Sequence, residues 1–247
     1  MLLSPLVLLL VLVIGMMIGS IGIGGVLQVP VLHFLGGVPI HAVIPACMLA
    51  YLLPGIVGGL VYHRHGSLHG PSARQVCLGA VPGALLGAWL LPHAPGLILE
   101  TLIALLILFS GVDALVRRGR GSGDGDGLGA TGYVAAGFFT GTICALTGAG
   151  GPLVLVPVLV WFRVPVRVVV GLGQVIQIPI SLMATGWNLH KGIVDLELGL
   201  WLTAVLSVGV LAGGWAAHRL AESKLKMAVA LLLTLVGAMM LIRLAVF

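Results

Sequence analysis

The sequence predicts an all-helical polytopic membrane protein made of two inverted repeats, each a broken or re-entrant helical hairpin followed by three transmembrane helices. Only 8% of the 247 residues are charged and 60% are hydrophobic, whereas about a quarter of the residues in a soluble domain are charged. Apolar runs long enough to cross a bilayer recur along the chain, and the two halves share landmarks. This composition excludes soluble enzymes and disulfide-rich secreted domains.

Glycine, proline and charged residues divide the chain into ten apolar segments, arranged as two sets of five. The segments are 2–20, 25–35, 40–62, 75–91 and 97–116, then 130–146, 152–162, 167–187, 196–218 and 226–246. We therefore assign residues 1–116 to a first membrane repeat and residues 130–247 to a second. Residues 117–129 are rich in Gly, Arg and Asp, which is typical of a flexible linker outside the bilayer, and we place this linker in the cytoplasm.

A shift of 126 positions brings the two sets into register. It aligns Gly15 with Gly141, Gly24 with Gly150, Gly25 with Gly151, Val38-Pro39 with Val164-Pro165, Gly83 with Gly209 and Trp89 with Trp215. A single shift that aligns landmarks over about 75 residues indicates internal duplication.

Basic residues in the short loops fall into four clusters that indicate orientation. The clusters are Arg64 with Arg74, Arg117 with Arg118 and Arg120, Arg163 with Arg167, and Arg219 with Lys224 and Lys226. Because cytoplasmic loops are enriched in Lys and Arg, we place all four clusters in the cytoplasm and both termini outside. The net charge of +5 therefore reports orientation in a membrane, and we predict no nucleic-acid partner.

This orientation requires the first two segments of each repeat to begin and end on the same face. Each repeat therefore starts with a hairpin, whose second arm has about 11 residues, or about 16 Å of helix, which is half the thickness of a bilayer core. Three full spans follow in each repeat. The number of crossings is odd, so the second repeat enters from the opposite face and the repeats are inverted.

Each hairpin turns at a glycine-rich tip, Ser20 to Val26 in the first repeat and Thr147 to Pro152 in the second. Glycine permits positive φ and close approach to a ligand, and Pro152 suits the first position of the next helix. The start of a helix directs free N–H groups and a positive dipole end towards the tip. Two such helix starts facing each other predict an anion site that needs no buried Lys or Arg.

Candidate substrate-binding residues lie at the tips or on the helices near them: Ser20, Gly22, Gly24, Gly25, Gln28, Thr147, Gly148, Gly150, Gly151, Gln174 and Gln177. Neutral side chains can orient an oxyanion without the cost of a buried cation. Structural alternatives stay open. Gln174 and Gln177 also suit hydrogen bonds between helices, whereas hydroxyls such as that of Thr142 suit bonds to the helix backbone. Glycines outside the tips suit close helix crossings.

Several sequence features together resemble one known family. A glycine-rich tip runs into Val-Pro-Val-Leu at Val29 to Leu32, the same four residues recur at Val156 to Leu159, and a His-Arg-His-Gly loop begins at His63. These features, with the Gly-Pro tip of the second copy, resemble the TauE/SafE family of membrane transporters, often called sulfite exporters. Val26 stands where members commonly have a third glycine. The resemblance covers nearly the whole chain.

The resemblance implies a transporter of the bacterial inner (plasma) membrane and not an enzyme. It implies export of a small sulfur oxyanion, sulfite or an organosulfonate such as sulfoacetate, and we expect alternating access around the tips. The expected partners are this small anionic substrate and the lipid bilayer. The oligomeric state stays open, a homo-oligomer included.

Two other classes of function are alternatives. A passive anion channel would use the same helix dipoles. An intramembrane enzyme would need a nucleophile such as Ser20 with His33 or His41 as its base, but no orienting carboxylate lies in those segments. We therefore predict no catalytic residue.

We also predict no metal site and no cofactor. The loop histidines His63, His65 and His69 have no carboxylate or thiolate nearby in the sequence. The cysteines lie inside apolar segments without CxxC spacing, so they indicate neither a metal site nor a disulfide framework.

Overall fold

The computed structural model describes residues 4–21, 24–64, 69–116, 128–217 and 222–246, and these are helical except for short turns, with no strand. The first repeat contains α1 (Pro5–Ile21), a 3-10 turn (Gly25–Leu27), α2 (Gln28–Pro30), a π-helical turn (Val31–Leu35), α3 (Ile40–Arg64), α4 (Gly70–Leu90) with a 3-10 turn (Leu91–His93), and α5 (Gly96–Val116). The second contains α6 (Ala130–Thr147), α7 (Gly151–Trp161), α8 (Val166–His190), α9 (Leu196–Ala217) and α10 (Glu222–Val246). Residues 25–35 are called the first half-helix, and α7 is called the second half-helix.

Seven of the described helices are long and apolar enough to cross a membrane, namely α3, α4, α5, α6, α8, α9 and α10. The prediction of an all-helical membrane protein is therefore confirmed. Both half-helices are short, as predicted, and α7 has 11 residues. Helix α4 begins at Gly70 rather than residue 75 because its polar first turn is helical as well. Most of the predicted linker, residues 117–127, lies outside the described residues.

The first half-helix is less regular than the second. Its backbone changes from a 3-10 turn to a π-helical turn around Pro30, whose ring lacks an N–H and crowds the carbonyl group four residues earlier. Helix α7 remains α-helical through Pro157. The predicted broken helix is therefore irregular in the first repeat, whereas its equivalent in the second repeat, α7, is a regular α-helix.

The shift of 126 positions that aligns the sequence landmarks also relates the structural elements. It carries α3 onto α8 with both ends matched, and it carries the first half-helix onto α7. The turn after each half-helix has a left-handed residue at the equivalent position, Gly37 with φ 66° and Arg163 with φ 58°. The duplicated sequence therefore folds into duplicated elements.

Each hairpin packs against a helix of the other repeat through glycine. A Cβ atom added to Gly15 of α1 would lie 2.6 Å from the Leu206 carbonyl oxygen of α9, and one added to Gly141 of α6 would lie 2.6 Å from the Ala80 carbonyl oxygen of α4. Leu206 and Ala80 are themselves equivalent under the shift. These glycines permit close helix crossings, which is their structural role.

The equivalent helices α3 and α8 pack against each other in antiparallel orientation. Gly55 of α3 faces Gln177 of α8, whereas Gly58, further along α3, faces Gln174, which is earlier on α8. Helices α5 and α10 also pair in opposite directions, with Gly111 at Thr234 and Leu108 at Gly237. This packing supports an inverted relation between the repeats, whose orientation in a membrane stays a prediction.

The distribution of polarity suits a lipid environment. Large apolar side chains such as Leu97, Leu211 and Ile242 are exposed on the outside of the bundle, whereas polar side chains such as Gln28 and Asn188 are buried inside it. A protein surrounded by hydrocarbon gains nothing from hiding apolar side chains, but it must enclose polar groups. The bundle therefore encloses a polar interior.

Candidate functional site

The first tip follows the end of α1 and brings its backbone close to neighbouring helices. Gly22 and Ile23 lie outside the described residues. Gly24 has φ 139°, a conformation that L side chains rarely adopt. A Cβ atom added to Gly25 would lie 3.2 Å from the hydroxyl oxygen of Tyr51 on α3. The structure shows a close approach of Gly25 to Tyr51, and the expected close approach to a ligand stays a prediction.

Tyr51 covers the first tip. Its side chain is fully buried, and its hydroxyl group donates a short hydrogen bond to the Gly25 carbonyl oxygen. The sequence analysis did not select Tyr51, because its contact with the tip depends on how α3 packs. One signal was available, since the shift of 126 positions aligns Tyr51 with the selected Gln177.

The second tip joins α6 to α7. Thr147 ends α6, and Gly148 adopts the left-handed conformation with φ 69° and donates its N–H to the Cys144 carbonyl oxygen at 2.9 Å. Gly150 is the N-cap of α7, and Gly151 is its first residue. Pro152 therefore occupies the second helical position and not the predicted first one, because the helix begins one residue earlier. Neither position requires a proline N–H.

The two hairpins meet at these tips. A Cβ atom added to Gly148 would lie 2.8 Å from Cγ2 of Val29 on the first half-helix and 3.4 Å from Cα of Ile44 on α3. The second tip therefore packs against the first half-helix, on which Gln28 precedes Val29. The structure brings together the second tip and the first half-helix, which are more than a hundred residues apart in the sequence.

Gln177 covers the second tip as Tyr51 covers the first. A Cβ atom added to Gly150 would lie 2.9 Å from Nε2 of Gln177, and one added to Gly55 of α3 would lie 2.9 Å from Cβ of Gln177. The side chain is 3% exposed, and its Oε1 atom has no hydrogen-bond partner among the described residues. Gln177 therefore places its amide nitrogen beside the start of α7, whereas its unpartnered oxygen lies towards Gly55 of α3.

Gln174 and Gln28 are also buried in the bundle. Gln174 lies against α3, where its Oε1 atom would be 2.5 Å from a Cβ atom added to Gly58. Gln28 is fully buried, and neither its Oε1 nor its Nε2 atom has a hydrogen-bond partner among the described residues. Burying an amide without a partner costs about 1–3 kcal/mol by mutational measures. The amide of Gln28 therefore needs hydrogen bonds to a bound molecule, either water or a solute.

The hydroxyl groups near the tips are already engaged with the helix backbone. Ser20 donates to the Met16 carbonyl oxygen at 2.7 Å, Thr147 donates to Ile143 at 2.7 Å, and Thr142 donates in the same way at 2.9 Å. This is the structural alternative that the sequence left open. Substrate binding by Ser20 and Thr147 stays a prediction. Each hydroxyl group already donates its proton to a carbonyl oxygen, so it can only accept a hydrogen bond from a ligand unless that bond breaks.

A histidine and a carboxylate lie close together at the far end of the first half-helix. His33 Nδ1–H donates to the Val38 carbonyl oxygen at 2.8 Å, and Nε2 lies 3.4 Å from Oε1 of Glu100 on α5. His33 and Glu100 lie in separate segments of the sequence, which does not indicate that they pair. The described residues contain no group of three or more His, Cys, Asp or Glu suited to a metal ion. His65 and the side chain of His63 lie outside the described residues.

An apolar exterior, seven described helices able to span a membrane, and a hairpin whose glycine tip packs against the first half-helix define a multi-pass membrane protein. The profile of the sulfite exporter TauE/SafE family matches residues 7–240. The chain therefore belongs to the TauE/SafE family of membrane transporters, as its sequence motifs suggest. Neither the search of curated proteins nor that of solved structures finds a match.

Proposed function

We propose that the protein is a secondary transporter that exports a small sulfur oxyanion, sulfite or an organosulfonate such as sulfoacetate. Membership of the TauE/SafE family supports the substrate class. The observation that carries the proposed site is the position of a buried amide donor at a helix start, since Nε2 of Gln177 would lie 2.9 Å from a Cβ atom added to Gly150, the glycine cap of α7. Gln28 adds a second unsatisfied amide on the half-helix that touches the other tip.

This arrangement has the electrostatics that an anion site in a membrane needs. A helix start carries the equivalent of about half a positive charge, and two of them facing one ligand offset one negative charge. Neutral amides then donate to the oxygens of the anion. A lysine at the same depth would carry a desolvation cost of about 2.5–3.5 kcal/mol on insertion scales, and no lysine or arginine occurs at the described tips.

Alternating access follows from the duplication. The repeats contain the same elements, and equivalent helices pair in opposite directions, so an exchange of conformation between repeats would turn an inward-facing state into an outward-facing one. In our proposal both termini lie outside, the linker lies in the cytoplasm, and the membrane is a bacterial inner membrane. Moving one negative charge outward then gains about 2.3 kcal/mol per 100 mV of inside-negative potential.

A passive channel and an intramembrane enzyme are the alternatives. The tight contact of Gly148 with Val29 favours a transporter, because a channel needs a continuous open path when it conducts. The hydroxyl proton of Ser20 is bonded to a backbone carbonyl, whereas an activated nucleophile gives its proton to a base. These contacts support transport over the other two classes.

The test is flux of radiolabelled sulfite and sulfoacetate into proteoliposomes, with sulfate and chloride as competitors and with the potential and the pH gradient set separately. Saturable, trans-stimulated flux of a sulfur oxyanion supports the proposal. Rapid non-saturating chloride flux would instead indicate a channel, and the absence of any sulfur oxyanion flux would refute the substrate.

The site itself is tested by Gly150→Ala. At this position φ is −67°, so alanine is not strained, and the new Cβ atom meets only the end of the flexible Gln177 side chain within 3 Å. We expect a folded protein with transport reduced by about tenfold or more, because the glutamine amide must move away from the helix start. Gly186→Ala is the matched control, since a Cβ atom there meets nothing within 4 Å. Equal transport activity in Gly150→Ala and Gly186→Ala would show that the anion site does not lie at the second tip.

A further inference from the structure

Helix α8 carries a continuous polar stripe on one buried face. The stripe consists of five residues spaced three or four apart, so that they lie on one side of the helix: Gln174, Gln177, Ser181, Thr185 and Asn188. Each is no more than 6% exposed. The two glutamines belong to the site at the second tip, but the other three residues extend beyond it towards the end of α8.

The outer part of this stripe is unsatisfied. Asn188 is fully buried, yet neither Oδ1 nor Nδ2 has a hydrogen-bond partner among the described residues, and the same holds for Oγ1 of Thr185. Trp187, between them in sequence, has a buried Nε1 atom that also lacks a partner there. Three donor groups within four residues are therefore buried without any protein partner that the structure describes.

Thr185, like Thr140, has no hydrogen-bond partner among the described residues. Seven other hydroxyl residues in the described helices donate to the carbonyl group four residues earlier: Ser20, Thr101, Thr142, Thr147, Thr203, Ser207 and Thr234. This bond is the usual way for a membrane helix to satisfy a hydroxyl group. Thr185 lacks it, so its hydroxyl is available to another molecule.

The stripe is absent from the equivalent helix of the first repeat. Under the shift of 126 positions its five residues correspond to Met48, Tyr51, Gly55, Gly59 and Tyr62 of α3. Small residues of α3 instead make room for the stripe, since Gly58 and Gly55 face the two glutamines. The polar lining therefore belongs to one repeat and runs towards one side of the membrane, the side on which α8 ends.

We propose that Ser181, Thr185 and Asn188 line a water-accessible passage from the glycine tips to the end of α8, and that Thr185 and Asn188 form a second, outer subsite for an anion. From Gln177 to Asn188 the helix rises about 16 Å, half the thickness of a bilayer core. Lys191, one turn further and exposed, lies with Nζ 5.2 Å from the centre of the Trp187 ring. Asp195 and Glu197 follow Lys191 in the chain, so this loop carries no net positive charge. The preference for an anion therefore rests on the unpartnered donors of Thr185 and Asn188.

The identity of this anion as a sulfur oxyanion rests on the proposed function, but the passage and its charge preference do not. The first experiment therefore uses labelling instead of transport. In a full-length variant with the three native cysteines replaced by alanine, Thr185→Cys and Asn188→Cys are treated in proteoliposomes with membrane-impermeant thiosulfonate reagents of either charge. Leu182→Cys is the matched control, because Leu182 lies on the same helix and is 50% exposed on the apolar exterior.

We expect both stripe cysteines to react at least about tenfold faster than Leu182→Cys, since a thiol in lipid does not ionise to the reactive thiolate. The reaction should occur from the side that labels Lys191→Cys, and the anionic reagent should react faster than the cationic one. Stripe cysteines as inert as the control would overturn the passage. A preference for the cationic reagent would overturn the anion subsite, whatever the transport assay shows.

Transport then tests the subsite with variants whose shapes are matched. Asn188→Leu and Thr185→Val should each raise KM for sulfite by about tenfold with little change in kcat, the loss expected for one hydrogen bond to a charged ligand. Asn188→Asp should have a larger effect because it adds a like charge. Thr203→Val is the control, since its hydroxyl donates to the Gly199 carbonyl oxygen. Unchanged KM in all stripe variants would overturn the subsite.

If the wild-type protein carries no sulfur oxyanion while the stripe cysteines are labelled as expected, the proposed substrate fails and the passage stands. If transport is present and the stripe cysteines are inert, the passage fails and the proposed function stands. The two inferences are therefore separable.

Discussion

The two hairpin tips have equivalent positions in the duplicated chain, but different side chains cover them. At the first tip the hydroxyl of Tyr51 is bonded to the Gly25 carbonyl oxygen. At the second tip Gln177 lies beside Gly150 with its amide oxygen unsatisfied. The backbone arrangement is therefore shared, whereas the side chains that cover the two tips differ, a bonded hydroxyl at the first and an amide at the second.

The same difference extends along the paired central helices. Helix α8 carries the buried polar stripe, and α3 contributes glycines that accommodate it. Duplication produces two equivalent sets of helices. In our proposal a single ligand binds between them, so polar side chains are needed in only one set. We therefore expect substitutions in the second repeat to affect transport more than their equivalents in the first.

The largest effect should come from the contact between the hairpins. Gly148→Leu places a side chain at φ 69° and against Val29 and Ile44, which combines backbone strain with overpacking and should cost about 3 kcal/mol or more. We expect loss of the monodisperse peak in size-exclusion chromatography. Gly186→Leu should keep that peak, because Gly186 has open space around it. A stable Gly148→Leu protein would show that the tips do not need to touch.

The next effect should be on transport alone. Gln177→Leu keeps the volume of a buried side chain and removes its amide, so we expect a folded protein whose kcat/KM for sulfite falls by about 10- to 100-fold. Proteoliposome flux measures this value, and the unfolding temperature serves as the control for folding. Flux within twofold of the wild type would mean that the two tips do not differ in ligand binding.

A smaller effect on transport is expected at the equivalent position of the first repeat. Tyr51→Phe removes the hydroxyl that donates to Gly25 and should lower stability by about 1 kcal/mol while reducing kcat/KM by less than about threefold. Thermal unfolding and flux are measured on the same preparation. A loss as large as that of Gln177→Leu would make the tips functionally equivalent and contradict the comparison.

The smallest effect should come from the far end of the first half-helix. Glu100→Gln removes the charge opposite His33, and both side chains are partly exposed, so we expect a change of no more than about 1 kcal/mol in stability. Transport between pH 6 and 8 should follow the wild type. A changed pH profile of transport would indicate that His33 and Glu100 take part in proton coupling.

Most of the frame could be predicted from sequence because it depends on local composition. Apolar runs set the helices, and glycine and proline set the turns, so both half-helices were predicted. The irregular turns of the first half-helix were not, since Pro30 predicts a break but not its geometry. Helix α4 was predicted too short because its first turn is polar.

The candidate site was predicted only in part, because its other members depend on packing between distant segments. Gln28, Gln174 and Gln177 were selected as polar residues in apolar segments, and they are buried. Tyr51 is an ordinary aromatic residue until α3 is placed against Gly25. The outer part of the stripe was visible as a periodic pattern, but only the missing bond to its own helix distinguishes Thr185 from a residue such as Thr147.

The turn after each half-helix has a consequence for how the chain enters a bilayer. The first copy uses Gly37 for its left-handed residue, whereas the second uses Arg163 in nearly the same conformation, at a cost of about 1–2 kcal/mol for a residue with a Cβ atom. In our proposal the two repeats have opposite orientations in the membrane. A cation at only one of two equivalent turns favours a cytoplasmic position for that turn, so Arg163 would help to set the orientation of the second repeat.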